Sequence, residues 1–352
     1  MKLAFHYNKF SFCDRWLEYC KKKGINFKLV NCYDSDIVSQ LSSCDALFFH
    51  WMHFNYREML FMKQLTFALE KAGKMVFPNL NTCWHFDDKV GQKYLLESIG
   101  APLVPSYVFY DRKAAIDWCK TTNFPKVFKL RSGAGSKNVR LISTKEQALR
   151  IVSRMFGSGL SQYNKFGELL ERLRLYRLGK IEMTAVFRGL ARFFILPEFA
   201  KMFHSEKGYV YFQDFVEGND SDTRVVVIGN RAFAIKRLVR AGDFRASGSG
   251  HLLYAKSGID EKCVKLAFGI SQKLRAQCLA YDFIFDTAGN PLLVEISYGF
   301  APEPYDNCPG YWDSSLVWHE GHFIAQNFMI DDLIDEIERK VNSCLPEGFF
   351  IT

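Results

Sequence analysis

YDFIFDTAGNPLLVEIS, Tyr281 to Ser297, alternates apolar and polar residues on both sides of a turn at Thr287 to Asn290, the pattern of a β-hairpin. If the turn centres between Ala288 and Gly289, Asp282 faces Glu295, with Ile284, Leu293 and Ser297 on the same face. Like charges directly opposite destabilise a sheet, so the pair calls for a cation, and carboxylate oxygens suit Mg²⁺. Two solvated acids on an amphipathic hairpin are the ordinary alternative. The apolar Ile284 and Leu293 expected beside them argue against it.

Upstream, FPKVFKLRSGAGSKNVRLI (124–142) runs from a strand carrying Lys129 through Arg131-Ser132-Gly133-Ala134-Gly135-Ser136 into a second strand. Glycines let backbone amides crowd around phosphate oxygens, and the flanking cations add charge. This is not a Walker A loop, which needs lysine and Ser/Thr directly after its last glycine at the mouth of a helix. Between them, Val210 to Gly250 carries Asp222, Arg224, Lys236, Arg237, Arg240 and Arg245 on strands joined by a Gly229-Asn230 turn, ahead of a Gly/Ser loop. Such a series suits a polyphosphate, although arginines on solvated strands are common.

The first 77 residues alternate strand and helix patterns: Lys2–His6, Phe12–Lys23, Phe27–Val30, a short helix near Ile37, Ala46–His50, Arg57–Ala72 and Met75–Phe77. That order indicates a parallel sheet with crossover helices. No GxGxxG follows the first strand, which removes the main support for a dinucleotide-dependent oxidoreductase. A turn-rich stretch sets a boundary near Thr82, followed by a helix in DDKVGQKYLLESIGAP stopped by Gly100 and Pro102.

The chain has 352 residues, 48% hydrophobic and 24% charged, enough for two or three packed domains. Neither a secretory signal nor a transmembrane run is evident. Ten scattered cysteines without a CxxC pair fit reduced thiols in the cytoplasm. The net charge of +8 admits anionic partners, yet it is spread out. Its densest stretch, Lys165 to Arg192, reads first as a solvated helix face, with an anionic acceptor or peripheral membrane contact as alternatives.

In order, these segments resemble the motifs of the ATP-grasp superfamily, nearest in style to its RimK-like carboxylate-amine ligases, over roughly residues 75–300. The resemblance implies an ATP-grasp fold, α/β and α+β, with an N-terminal Rossmann-like, pre-ATP-grasp parallel-sheet domain at 1–82. Residues 83–352 would be the ATP-grasp domain, with 107–213 as its lid subdomain and a basic helical insertion at about 150–200. By the same resemblance ATP and Mg²⁺, two ions expected, are the cofactors. Lys89 and Lys129 would meet the nucleotide phosphates, assisted by Lys236, and Gly133, Gly135 and Ser136 would close over them. Gln213, Asp214, Phe215 and Val216 would form the adenine hinge, and Asp222 would hold the ribose. Arg237 and Arg245 would meet the γ-phosphate and an acyl phosphate, and Asp282 with Glu295 would cradle Mg²⁺. Two asparagines of the family pattern are replaced here by Ser247 and Ser297.

The implied reaction activates a carboxylate as an acyl phosphate and joins it to an amine. The substrates would be small molecules or glycan-linked, a sugar acid or surface-glycan precursor among them, with no nucleic acid expected. A kinase on the same fold, or a nucleotide- or glycan-binding protein without turnover, stays open. His50-Trp51-Met52-His53 and His319-Glu320-Gly321-His322 invite a zinc reading that lacks a third ligand. His50, after the third strand, is better placed for substrate contact. The aromatic segment 298–323 reads either as a pocket or as packing.

Overall fold

The structure, a computed structural model, describes residues 1–9, 11–133, 138–161, 165–177, 179, 181–191, 205–240, 243–246, 248 and 250–343. Gly135, Ser136 and Ser247 therefore lie outside the described residues, as does part of the basic insertion.

Four short apolar runs, β1 (Leu3–His6), β2 (Phe27–Val30), β3 (Ala46–Phe48) and β4 (Met75–Phe77), form the expected parallel sheet in the order β2-β1-β3-β4. Helices Cys13–Lys23 and Tyr56–Lys71 make the crossovers. The first ends where Gly24 adopts φ 67° and its N–H reaches back to the last turn, a conformation glycine takes without penalty. Trp16, Phe48 and Phe77 bury almost completely beside Phe5, so this face repels water by aromatic area.

A second sheet holds β5 (Ser106–Phe109), β6 (Lys126–Lys129), β7 (Val139–Ile142) and β8 (Val210–Asp214), antiparallel in the order β5-β8-β6-β7. Helices Arg112–Thr121 and Lys145–Met155 cover one face and give it a core of its own around Phe128, Val152 and Phe212.

The third and largest sheet comprises β9 (Ser221–Ile228), β10 (Arg231–Leu238), β11 (Leu252–Leu253), β12 (Cys278–Phe285), β13 (Pro291–Ser297), β14 (Gly310–Asp313) and β15 (Trp318–Glu320). Its order is β13-β12-β9-β10-β14-β15, with β11 on the far half of β10. Ile228 pairs with Arg231 across the two-residue Gly229-Asn230 turn, as the sequence indicates. The segment 298–323 contributes two short strands to this sheet, β14 and β15, which aromatic density had concealed, and Trp312 packs in the core. The N-terminal sheet and this one share two hydrophobic clusters, and helix Ala325–Ser343 seals the second. Thr82, the expected boundary, falls inside the short helix Leu80–Cys83, and its hydroxyl accepts the Gln277 N–H.

The 281–297 hairpin differs from expectation in register. Its loop is the three-residue Thr287-Ala288-Gly289, closed between Asp286 and Asn290, with Gly289 at φ 77°. Phe283 therefore pairs with Leu293 and Ile284 with Leu292, and Leu293 lies in the core away from the acids. A β-bulge at Val294 then advances the ladder by one residue, and Asp282 does face Glu295.

Candidate functional site

The site lies where the second and third sheets meet. Residues 215–220 link β8 to β9. On the other side, Leu293 and the 102–104 segment exchange backbone bonds, Leu293 N to Pro102 O at 2.7 Å and Val104 N to Leu293 O at 2.9 Å. Helix Lys89–Ser98 crosses this junction. It starts at Lys89 because Asp88 caps it, accepting the Gly91 N–H at 2.8 Å, and Gln92 accepts the Ile296 N–H at 3.3 Å.

Glu295 is the meeting point. Lys89 Nζ lies 3.3 Å from Glu295 Oε1 and donates to Gly133 O at 2.7 Å. Burial disfavours the Lys89 ammonium, but the Glu295 and Asp87 carboxylates outweigh it and hold its pKa above the usual range. Lys129, on β6, is also buried and donates to Gln213 Oε1 at 2.6 Å; burial pulls it down to about 8, with Glu295 opposing. Gln213 is fixed in turn by the Ser106 hydroxyl at 3.0 Å.

Beside Glu295 runs an alternating row of charges. Asp282 takes a bidentate bond from Arg224, at 2.5 and 2.7 Å, and lies 3.0 Å from Arg237 Nη2. Arg237 binds Asp222 bidentately at 2.6 Å. The ladder sets both pairs, since Arg224 is registered on Asp282 and Asp222 on Arg237. Burial alone would raise the Asp282 carboxyl; the two guanidiniums overcome it and hold it well below the carboxylate range. Asp222 ends above its usual value, because burial exceeds the pull of Arg237.

The glycine-rich loop is anchored at its first glycine. Gly133 N–H donates to Asp87 Oδ1 at 2.7 Å while Gly133 O accepts from Lys89. Gly133 has φ 105°, and a Cβ there would sit 2.8 Å from Asn138 Nδ2. Burial raises the Asp87 carboxyl to about 6. Glu206 accepts the Arg131 and Ser132 N–H groups, at 3.0 and 3.3 Å, and Arg131 reaches Asp88 at 2.6 Å.

The structure thus brings together Lys89, Lys129, Gly133, Gln213, Asp222, Arg237, Asp282 and Glu295. Lys236 alternates to the opposite sheet face from Arg237. Asp214 is tied to Lys126 at 2.6 Å. Phe215 meets Phe244 edge-on at 5.8 Å, which links the β8–β9 connection to the loop where Arg245 pairs with Asp243 at 2.6 Å. Val216 O accepts from Asn219 at 3.4 Å. Ser297 donates its hydroxyl to Gly299 O at 2.9 Å, leaving its lone pairs available.

His50 is a packing residue: its ring stacks on Phe12 at 3.8 Å and accepts the Phe12 N–H, and it is 5% exposed, which opposes a substrate contact. His319 pairs with Asp313 at 2.8 Å. The role of Arg224 could have been found in the sequence, because it lies two residues from Asp222 and so shares its strand face. Asp87 gave no signal beyond adjoining Asp88 and Lys89.

The donor set fits Mg²⁺ in one respect that matters. Among the described residues no three His, Cys, Asp or Glu side chains cluster to hold a metal unaided. Glu295 has Lys89 as its ion-pair partner among the described residues, and both it and Asp282 retain lone-pair capacity. Two hard carboxylates short of a full shell suit an ion completed by phosphate oxygens, the usual situation of Mg²⁺ at nucleotide sites.

Residues 198–301 match the RimK-like ATP-grasp domain family model. No curated protein matches the chain. Among solved structures, D-cycloserine synthetase DcsG aligns with a TM-score of 0.58 at 15% identity, over 96% of this chain and 100% of that one. A RimK domain ATP-grasp protein from Sphaerobacter thermophilus gives 0.55 at 15% identity, over 95% and 99%. D-alanine–D-alanine ligase from Bacillus anthracis, complexed with ATP, gives 0.56 at 12%, over 97% and 98%. The chain has the ATP-grasp fold, and within it residues 198–301 are similar to the RimK-like ATP-grasp domain.

Proposed function

We propose that the protein is an ATP-dependent ligase that activates a carboxylate as an acyl phosphate and joins it to an amine. The observation that carries this reading is the convergence on Glu295, where two buried lysines and the facing Asp282 surround one carboxylate at the seam of two sheets. Such a concentration of buried charge is what a polyphosphate and its cation require.

On this reading Lys89 and Lys129 hold the nucleotide phosphates, Gly133 anchors a lid formed by residues 107–213, and the 213–216 connection holds adenine. Asp282, Glu295 and Ser297 would hold Mg²⁺, which supplies charge neutralisation at the phosphates. A substrate carboxylate oxygen attacks the γ-phosphorus, the bond to the ADP oxygen breaks and ADP leaves. Arg237 is placed to meet the charge that builds on the transferring group, provided it releases Asp222 or Asp282 in part. The amine nitrogen then attacks the acyl carbon, inorganic phosphate leaves and the amine proton passes to solvent. Lid closure protects the acyl phosphate from water.

The acid and amine are proposed to be small molecules or glycan-linked, in the cytoplasm where ATP is available. No helix among the described residues is long and apolar enough to cross a membrane.

An acid labelled with ¹⁸O in its carboxyl group, screened with ATP and paired amines by mass spectrometry, tests the reaction. One ¹⁸O appearing in released phosphate together with an amide supports the ligase. A stable phosphorylated product without an amide would replace it by the kinase, and ADP release absent with every pair would leave only binding.

A further inference from the structure

We propose that the corner between β7 and helix Lys145–Met155 is a second anion site, separate from the nucleotide cleft, that binds a phosphoryl group. Gln147, Arg150, Ile151 and Arg154 recur at helical spacing and so present one stripe of the helix. β7 is the outer strand of its sheet, and Arg140 on it closes the corner from the other side. These residues line a cavity of about 280 Å³, floored by Leu141, Ile142 and Ile151.

Three arginines, Arg140, Arg150 and Arg154, line this cavity, and among the described residues no Asp or Glu does. The one acid on the helix, Glu146, bonds its own N–H and the Thr144 hydroxyl at the helix start. Arg150 Nε donates to its own helix, to Glu146 O at 3.3 Å, and Arg154 Nε to Gly159 O at 3.3 Å. The Arg140 side chain, unlike its backbone in the β6–β7 ladder, makes no hydrogen bond or ion pair among the described residues. Burial and the Arg154 charge depress its guanidinium. Gln147 gives its carbonyl to the Ser143 N–H at 2.8 Å, which leaves its amide N–H₂ to donate.

Like charges one helical turn apart destabilise a helix, and a third cation facing them adds to the repulsion. An oxyanion removes that cost. Guanidinium forks match phosphate oxygens in pairs, and a cavity at the small end of the ligand-pocket range takes a phosphoryl group rather than a whole nucleotide. β7 is also the return limb of the glycine-rich loop, starting one residue after Asn138, so an anion there would brace the strand from which the loop emerges.

The test is titration of the full chain with inorganic phosphate, and separately with glycerol 3-phosphate, in the presence of saturating Mg²⁺ and AMP-PNP. The readout is the ¹⁵N–¹H signals of the Arg140, Arg150 and Arg154 side chains. Because it reports on these arginines, its failure is distinguishable from failure of the ATP reading. Saturable shifts are expected, weakened about tenfold in Arg140→Gln and Arg154→Gln and unchanged in Lys145→Gln, which removes a charge from the same helix outside the cavity. If either glutamine variant does not fold, Arg154→Lys should still weaken binding several-fold, because it keeps the charge and loses the fork. Tighter binding of the ester would identify a phosphorylated substrate as the source; equal binding would identify free phosphate. Linear, non-saturating shifts, or equal weakening by Lys145→Gln, would overturn the proposal.

Discussion

Glu295 faces Asp282 because β13 carries one residue more than its partner strand between Leu293 and Glu295. A three-residue hairpin loop continued in unbroken register would set Val294 opposite Asp282 and turn Glu295 toward the core beside Tyr281. The bulge returns Glu295 to the charged face, where Lys89 meets it.

The two acids should therefore respond differently to neutralisation. Asp282→Asn leaves Arg224 and Arg237 facing a neutral amide in a buried setting, and should cost about 3 to 5 kcal/mol in urea unfolding. Glu295→Gln should cost less, about 1 to 2 kcal/mol, because Asp87 still faces the buried Lys89, while Mg²⁺-dependent nucleotide binding falls tenfold or more. Equal stability losses in the two variants would contradict the bracing role of Asp282.

Lys129 makes stability depend on alkaline pH. Its pKa in the folded chain, about 8, lies below the ordinary 10.5, so between these values the unfolded chain binds more protons. Stability should rise with pH across that window, by up to about 3 kcal/mol, and the destabilisation should be fully present below pH 8. Lys129→Met should remove the slope. Saturating Mg-ATP should flatten it too, because bound phosphates favour the charged lysine.

Asp87 acts at acid pH with the opposite sign. Its carboxyl, raised from 3.8 to about 6, keeps a proton that the unfolded chain has lost, so stability should fall as pH rises from about 4 to about 6. Asp87→Asn can still accept the Gly133 N–H through its amide oxygen and tolerates the φ of 54° found there. It should flatten this limb of the thermal-melt profile.

Gly133→Ala tests the loop anchor. A side chain at φ 105° is strained, and its Cβ would press on the Asn138 amide. Stability should drop by about 1 to 3 kcal/mol, with a weaker affinity for ATP measured by calorimetry. Asn138→Ser in the same chain should relieve the contact but not the backbone strain, giving partial recovery.

Much of this protein is written locally. The parallel sheet follows from alternating apolar runs and helices, the Gly229-Asn230 hairpin from its turn residues, and the helix start from Asp88, because each depends on neighbours a few positions away. The order of the charged segments, too, was enough to point to ATP-grasp. Tertiary structure alone decided the rest. The bulge at Val294, the capture of Asp282 by Arg224 and Arg237, the Asp87 contact to Gly133 and the placing of β14 and β15 in the large sheet all join residues distant in sequence. Hydropathy alternation is blind to a single inserted residue, and it gives a charge no partner until the ladder brings another strand beside it.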